Sequence, residues 1–106
     1  MNKTILTAAC LILAASAPAY AGDPDAGQKK SKACEACHGP DGNSPAPDFP
    51  KIAGQHYDYL VKTLKDYKSG VRKSPIMAPM VAPLTTRDIE DLAAYFSSQK
   101  GLVLKY

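Results

Sequence analysis

Apolar positions change rhythm several times along this chain. Residues Ile5 to Ala15 are almost uniformly apolar. At Asp23-Pro24-Asp25 the pattern turns polar: Asp23 suits a helix cap, Pro24 the first helical position and Asp25 the first turn. This predicts a helix running towards Ala33, with Gly27 inside it at some loss of helix propensity. Residues 39–55 show no periodicity, because Gly39, Pro40, Gly42, Asn43, Pro45, Pro47, Pro50 and Gly54 interrupt any regular element. Phe49 and Ile52 give this loop something to bury, which favours an ordered loop over disorder. Tyr57, Leu60, Val61, Leu64 and Tyr67 then recur at i, i+3, i+4 and i+7. They predict a helix that begins at His56 or Tyr57 and is capped by Gly70.

A second irregular stretch, Val71 to Leu84, holds Pro75, Pro79 and Pro83 together with Met77 and Met80. Thr85 caps a last helix, with Asp88 three residues on as a capping-box partner. Ile89, Leu92, Ala93 and Phe96 form its apolar face, and Gly101 is expected to end it. Strand-like alternation and internal repeats are both missing from the pattern. The expectation is an all-α domain of about three main helices joined by loops.

The first apolar run has a different purpose. Lys3 precedes it and the small-x-small triplet Ala19-Tyr20-Ala21 follows it, the pattern of a secretory signal peptide cut after Ala21. At about eleven residues it is short of the ~20 needed to cross a bilayer. Cys10 would leave with it, and the mature part would span residues 22–106 in a bacterial periplasm, with no transmembrane anchor after cleavage. The full chain is 106 residues and 45% hydrophobic, but the mature part is poorer, at about 39%. A domain of that size and composition sits where a disulfide, metal, cofactor or partner usually adds support. It is too short for a dinucleotide-binding domain joined to a substrate domain. The formal charge of +3 is no nucleic-acid footprint. Basic residues do group, at Lys29, Lys30 and Lys32 and at Lys62, Lys65, Lys68, Arg72 and Lys73. They read as solvated helix faces or as a docking rim for an acidic partner.

The chemistry centres on Cys34-Glu35-Ala36-Cys37-His38, a C-x-x-C-H sequence of the kind that attaches c-type haem. Two thiols on one helical turn can form thioethers to one haem, and the adjacent histidine reaches iron from the same side. A thioredoxin-like site would want a βαβ context. A structural zinc site would want four ligands, and the mature part offers only Cys34, Cys37, His38 and His56 as cysteine or histidine. A Cys34–Cys37 disulfide would close a loop too small to stabilise much. A sixth iron ligand suits electron transfer when it is a methionine, and Met77 and Met80 are the candidates. His56 is an outside choice, because it lies too near the attachment site in sequence to reach the opposite haem face easily.

The stretches CEACHGPDGNSPAPDFPKIAGQ, YLVKTLKDYKSGVR, MAPMVAPL and DIEDLAAYFSSQKG cover nearly all of the mature part. In them the chain resembles a class I c-type cytochrome, most closely a single haem domain of the cytochrome c4 or short bacterial cytochrome c553 type. The resemblance implies a small helical fold around one covalent haem c, with the first and last helices crossing near Gly27 and Tyr95. It places the thioethers on Cys34 and Cys37, the proximal ligand on His38 and the axial methionine on Met77, with Met80 as fallback. It also places a proline carbonyl against the proximal imidazole, at Pro45 or at Pro47. Cytochrome c4 carries two such domains where this chain holds one, so transfer between two haems would need a homodimer.

The expected function is a periplasmic one-electron carrier, cycling Fe(II) and Fe(III), between redox protein donors and acceptors such as a terminal oxidase or reductase. It would be no enzyme and bind no nucleic acid. The alternatives are a haem subunit of a larger dehydrogenase or oxidase, and a peroxidase-type or ligand-binding haem protein with a labile methionine. Counting the haem as core also accounts for the lean composition. The chain prepared without haem is therefore expected to stay largely unfolded, and a helical far-ultraviolet circular dichroism spectrum with a cooperative melt would contradict this.

Overall fold

The computed structural model describes residues 21–102, so all but the last residue of the expected signal peptide lies outside the described residues. Five helices follow in order: α1 (Pro24–Lys30), α2 (Lys32–His38), α3 (Tyr57–Ser69), α4 (Met77–Val81) and α5 (Thr86–Ser97). Among the described residues there is no strand, in keeping with the all-α expectation.

α1 starts as the sequence indicates. Asp23 accepts a hydrogen bond from the Asp25 backbone N–H at 2.9 Å, and Pro24 occupies the first turn. The helix does not continue to Ala33. It stops at Ser31, whose hydroxyl lies 2.7 Å from the Gln28 carbonyl and 3.2 Å from Glu35 Oε1. A buried serine that satisfies itself on its own preceding turn competes with the helical ladder, and the chain sets off again as α2.

α3 ends where glycine allows. Gly70 adopts φ +84° with open space around it, so its role is the left-handed turn and not close packing. α4 is a five-residue helix inside a stretch expected to be irregular. Ser74 makes it possible by accepting from the Met77 N–H at 3.0 Å through its hydroxyl and from Ala78 through its carbonyl, also at 3.0 Å. Pro79 falls in the first turn, where a missing N–H costs no ladder bond. The capping box of α5 forms in both directions, Thr85 Oγ1 accepting from Asp88 N at 3.1 Å and Asp88 Oδ2 from Thr85 N at 2.9 Å. α5 ends at Ser97, short of Gly101, because Ser98 Oγ and Gln99 Nε2 both donate to the Tyr95 carbonyl, at 2.7 and 3.2 Å.

α5 is the axis of the domain. Asp91 to Phe96 are buried without a break, since α1 and α3 both pack on this helix. Ile89 and Leu92 are almost wholly buried, each burial contributing about 2 kcal/mol. Leu60 of α3 joins Leu92, Ala93, Tyr95 and Phe96 in one apolar cluster. α1 crosses α5 at Gly27, as the resemblance implied. A Cβ built there would stand 1.9 Å from the Asp91 carbonyl oxygen and 2.8 Å from the Tyr95 Cβ.

Asp91 locks the same crossing electrostatically. Its buried carboxylate accepts from the Asp23 N–H at 2.8 Å, from Lys30 Nζ at 2.6 Å and from Arg87 Nε at 3.0 Å. Burial alone would raise its pKa, but these donors outweigh it and hold the carboxyl below the usual range. Neighbouring Asp88 is held down to about 2 by the Thr85 backbone N–H, then by Lys30.

Two outcomes follow from the crossing. Gly27→Ala should destabilise the protein by about 3 kcal/mol, the upper end for overpacking, as read from chemical denaturation. Asp88 and Asp91 have depressed folded pKa values, so their stabilisation is complete above the unfolded value of about 4 and is lost as pH falls below it, towards about 2 for Asp88. Asp91→Asn should be less stable at neutral pH and lose less on acidification, as measured by denaturant midpoints across that window.

Candidate haem site

The break at Ser31 turns the cysteine-bearing helix onto the core. Cys34 and Cys37 lie one turn apart on α2, half-buried, with free thiols. Cys34 packs against the cluster formed by α3 and α5, as do Ile52, Val61, Leu64 and Leu84. Burial, then the neighbouring charges of Glu35 and Cys37, push its thiol pKa up.

His38 ends α2 and is 9% exposed. Its Nδ1 lies 2.8 Å from the Pro50 carbonyl oxygen. A carbonyl only accepts, so Nδ1 carries a hydrogen, and in the neutral ring the lone pair then falls on Nε2. This is the tautomer and orientation a metal-ligating histidine uses. The carbonyl comes from Pro50 and not from Pro45 or Pro47, which correct the expectation drawn from the resemblance. The loop also comes back to the end of α2 at Ser44, whose hydroxyl lies 3.2 Å from the Cys37 carbonyl, but it is the Pro50 carbonyl that reaches the imidazole.

The loop that brings Pro50 back is held at several points. The Gly42 carbonyl accepts from the N–H groups of Ile52 and Ala53, at 2.9 and 3.1 Å. Ser44 Oγ lies 3.2 Å from the Cys37 carbonyl and 2.8 Å from that of Ala46. Asn43 Nδ2 donates to the Lys100 carbonyl at 2.8 Å. Tyr95, buried on α5, donates its hydroxyl to the Pro40 carbonyl at 2.7 Å. Burial raises the Tyr95 phenol pKa, so it stays a donor. Neither Tyr95 nor Ser44 stands out in the sequence as a supporting group, because each acts on a backbone carbonyl and leaves no spacing pattern.

Met77 is the first residue of α4 and is half-buried, whereas Met80 is 39% exposed. α4 packs on α3 and α2 on α1, so the motif and the methionines hang on different neighbours of α5. His56 stands elsewhere. It lines a cleft of about 530 Å³ with Pro24, Gly54, Ala94 and Ser98, none of which belongs to the motif.

Two thiols and a buried, oriented imidazole on one helical turn, set against an apolar core, make the donor set of a protein that carries haem covalently. The residues fit that group: soft sulfur for the attachment, a neutral nitrogen for iron, and half-buried Val61, Leu64 and Leu84 for the flat apolar surface. The family model for Cytochrome c matches residues 24–100, and the chain belongs to the cytochrome c family. Membership implies a covalently bound haem c with iron, whose attachment motif Cys34 and Cys37 fit.

Known proteins bear further likenesses. Cytochrome c4 of Stutzerimonas stutzeri is 51% identical over 113 residues of alignment, which covers 97% of this chain and 53% of the relative. Cytochrome c-554(548) of Halomonas halodenitrificans is 46% identical over 83 residues, covering 76% of this chain and 100% of the relative. The crystal structure of reduced recombinant cytochrome c4 from Pseudomonas stutzeri superposes with a TM-score of 0.73 at 55% identity, over 77% of this chain and 48% of that one. The chain spans about half the length of the cytochrome c4 relatives it matches.

Proposed function

We propose that this protein is a one-electron carrier of the bacterial periplasm, holding a single haem c between His38 and Met77. Cys34 and Cys37 would hold the haem as thioethers, and Nε2 of His38 would ligate the iron. The bound haem supplies a reversible one-electron change at its iron. The chain's own residues do the remaining work. Pro50 fixes the imidazole plane through Nδ1, and the loop hydrogen bonds fix Pro50. Leu60, Leu92 and Phe96 provide a dry wall behind the motif.

The observation that carries this reading is the buried His38 ring, locked by one nitrogen and offering the other, one residue beyond two free thiols. Burial supports Met77 over Met80 as the second axial donor. The bond from Ser74 Oγ to the Met77 N–H also holds that residue's backbone in place. With His38 and Met77 both supplying iron ligands, no position would be left for a substrate, and the natural partners would be redox proteins that donate and accept one electron. Export rests on the signal pattern of residues 1–21.

The ligand assignment is tested by a pair of variants. Met77→Ala should abolish the long-wavelength methionine–iron absorption band of the oxidised protein and lower its midpoint potential, since Met/His ligation raises it. Met80→Ala should keep both features. The reverse outcome would make Met80 the ligand, and a high-spin wild-type spectrum would favour a ligand-binding or peroxidase-type protein.

A further inference from the structure

Gly22 would be the first residue left by cleavage after Ala21, and the small-x-small pattern of Ala19 and Ala21 does not account for it. Packing does. A Cβ built on Gly22 would stand 2.0 Å from the Glu90 carbonyl oxygen and 3.0 Å from the Ala94 Cβ. Only a residue without a side chain lies this close to α5. The next residue, Asp23, is pinned to the same helix by its 2.8 Å bond to Asp91. Ala21 is exposed and Gly22 half-buried, so the bond expected to be cut joins an exposed residue to a packed one.

The backbone N–H of Gly22 donates to the hydroxyl of Tyr57, the first residue of α3. Burial raises that phenol's pKa and the Glu90 carboxylate raises it further; the Gly22 bond opposes them, and Asp58 and Asp91 add to the rise. The phenol therefore stays neutral and its oxygen accepts, among three carboxylates. Asp91 is already matched by Lys30 and Arg87. Among the described residues, no ion pair takes Glu90 or Asp58. His56 is the other titratable side chain lining the cleft that Gly22 and Tyr57 share. On the segment of Gly22 itself, Asp23 caps α1 and Asp25 lies in its first turn.

We infer that the α-ammonium freed by a cut between Ala21 and Gly22 is a structural cation, seated against Tyr57 of α3 and beside Glu90 of α5. The inference rests on the cleavage that the export reading places after Ala21, and it gives the new terminus a part in holding the fold. Before the cut, Gly22 offers one neutral N–H. Afterwards it offers three donors and a positive charge in the same place. One donor keeps the Tyr57 bond, and the charge meets the carboxylates of Glu90 and Asp58, which otherwise lack a cation. Because Gly22 is only half-buried, the ammonium keeps water on its open side and loses little hydration. Processing thus ties the segment before α1 to α3 and α5 more firmly than the uncut chain does.

The test uses the exported, haem-loaded protein, whose intact mass should correspond to a start at Gly22. It is compared with a haem-loaded form that keeps Ala19-Tyr20-Ala21 ahead of Gly22. Urea unfolding at neutral pH should favour the Gly22 form by about fivefold in the folding equilibrium constant. Nearby carboxylates raise the amine's folded pKa above its ordinary value of about 8, so the advantage is complete below that value. It fades as pH rises through the folded pKa. Tyr57→Phe and Glu90→Gln, each made in both forms, should each shrink the difference between them. Equal stability at neutral pH, a difference that does not fade with pH, or one that survives either substitution undiminished would overturn the structural cation alone. A mass showing a start other than Gly22 overturns the cleavage reading and this inference with it.

Discussion

α1 and α5 touch backbone to backbone at Gly27, and the remaining structure is built outward from that contact. The residue whose carbonyl meets Gly27 is Asp91, whose carboxylate also collects the Asp23 N–H, Lys30 and Arg87. Sterics and charge therefore fix one crossing twice. α2 follows α1 after a single residue, so the direction of the cysteine turn is inherited from it. One turn along α5, Tyr95 reaches the Pro40 carbonyl and ties down the loop that leaves His38. Both ends of the motif helix are thus referred to α5, which is buried continuously from Asp91 to Phe96.

This arrangement suits a group that must change charge without moving its surroundings. His38 is held by a backbone carbonyl, a strong acceptor that has no titration of its own and no rotamer to change. The carbonyl is held in turn by a loop whose bonds run to Gly42, to the end of α2 and to the segment after α5. An imidazole fixed in this way keeps its plane and its orientation. The same loop would be a liability if it were free, since its prolines and glycines form no ladder. Side-chain bonds from Ser44, Asn43 and Tyr95 supply the order that regular structure does not.

Much of this was legible in the sequence because it is local. The Asp23 cap, the Thr85–Asp88 box, the Gly70 stop and the C-x-x-C-H turn each need only a few neighbouring residues, and all of these elements stand where the pattern puts them. The readings that failed depend on distant parts of the chain. Pro50 is one of several prolines in the loop, and only the folded path shows which carbonyl returns to His38. Ser31 looks like an ordinary helical residue until its hydroxyl is seen to satisfy Gln28. α4 was hidden by Pro79, which breaks a helix interior but not a first turn. The apolar face of α5 was read correctly, yet Ala94 and Tyr95 are buried as well, because α1 covers a side that periodicity assigns to solvent.

The segment 71–84 carries two demands that conflict in most surfaces. Met77 is half-buried on it, while Val71 and Ile76 stand in water. Prolines at 75, 79 and 83 reconcile them by lowering the entropy of the unfolded segment, so that a strap with little buried area can still keep one shape. The two cations on it, Arg72 and Lys73, then act as gatekeepers, since like charges discourage the apolar face from meeting itself. Under the proposed ligation both iron ligands would come from the chain, and no pocket would remain through which to select a partner. On that reading selection would fall to the surface, where exposed Ile76 is joined to the proposed iron ligand Met77 by a single peptide bond.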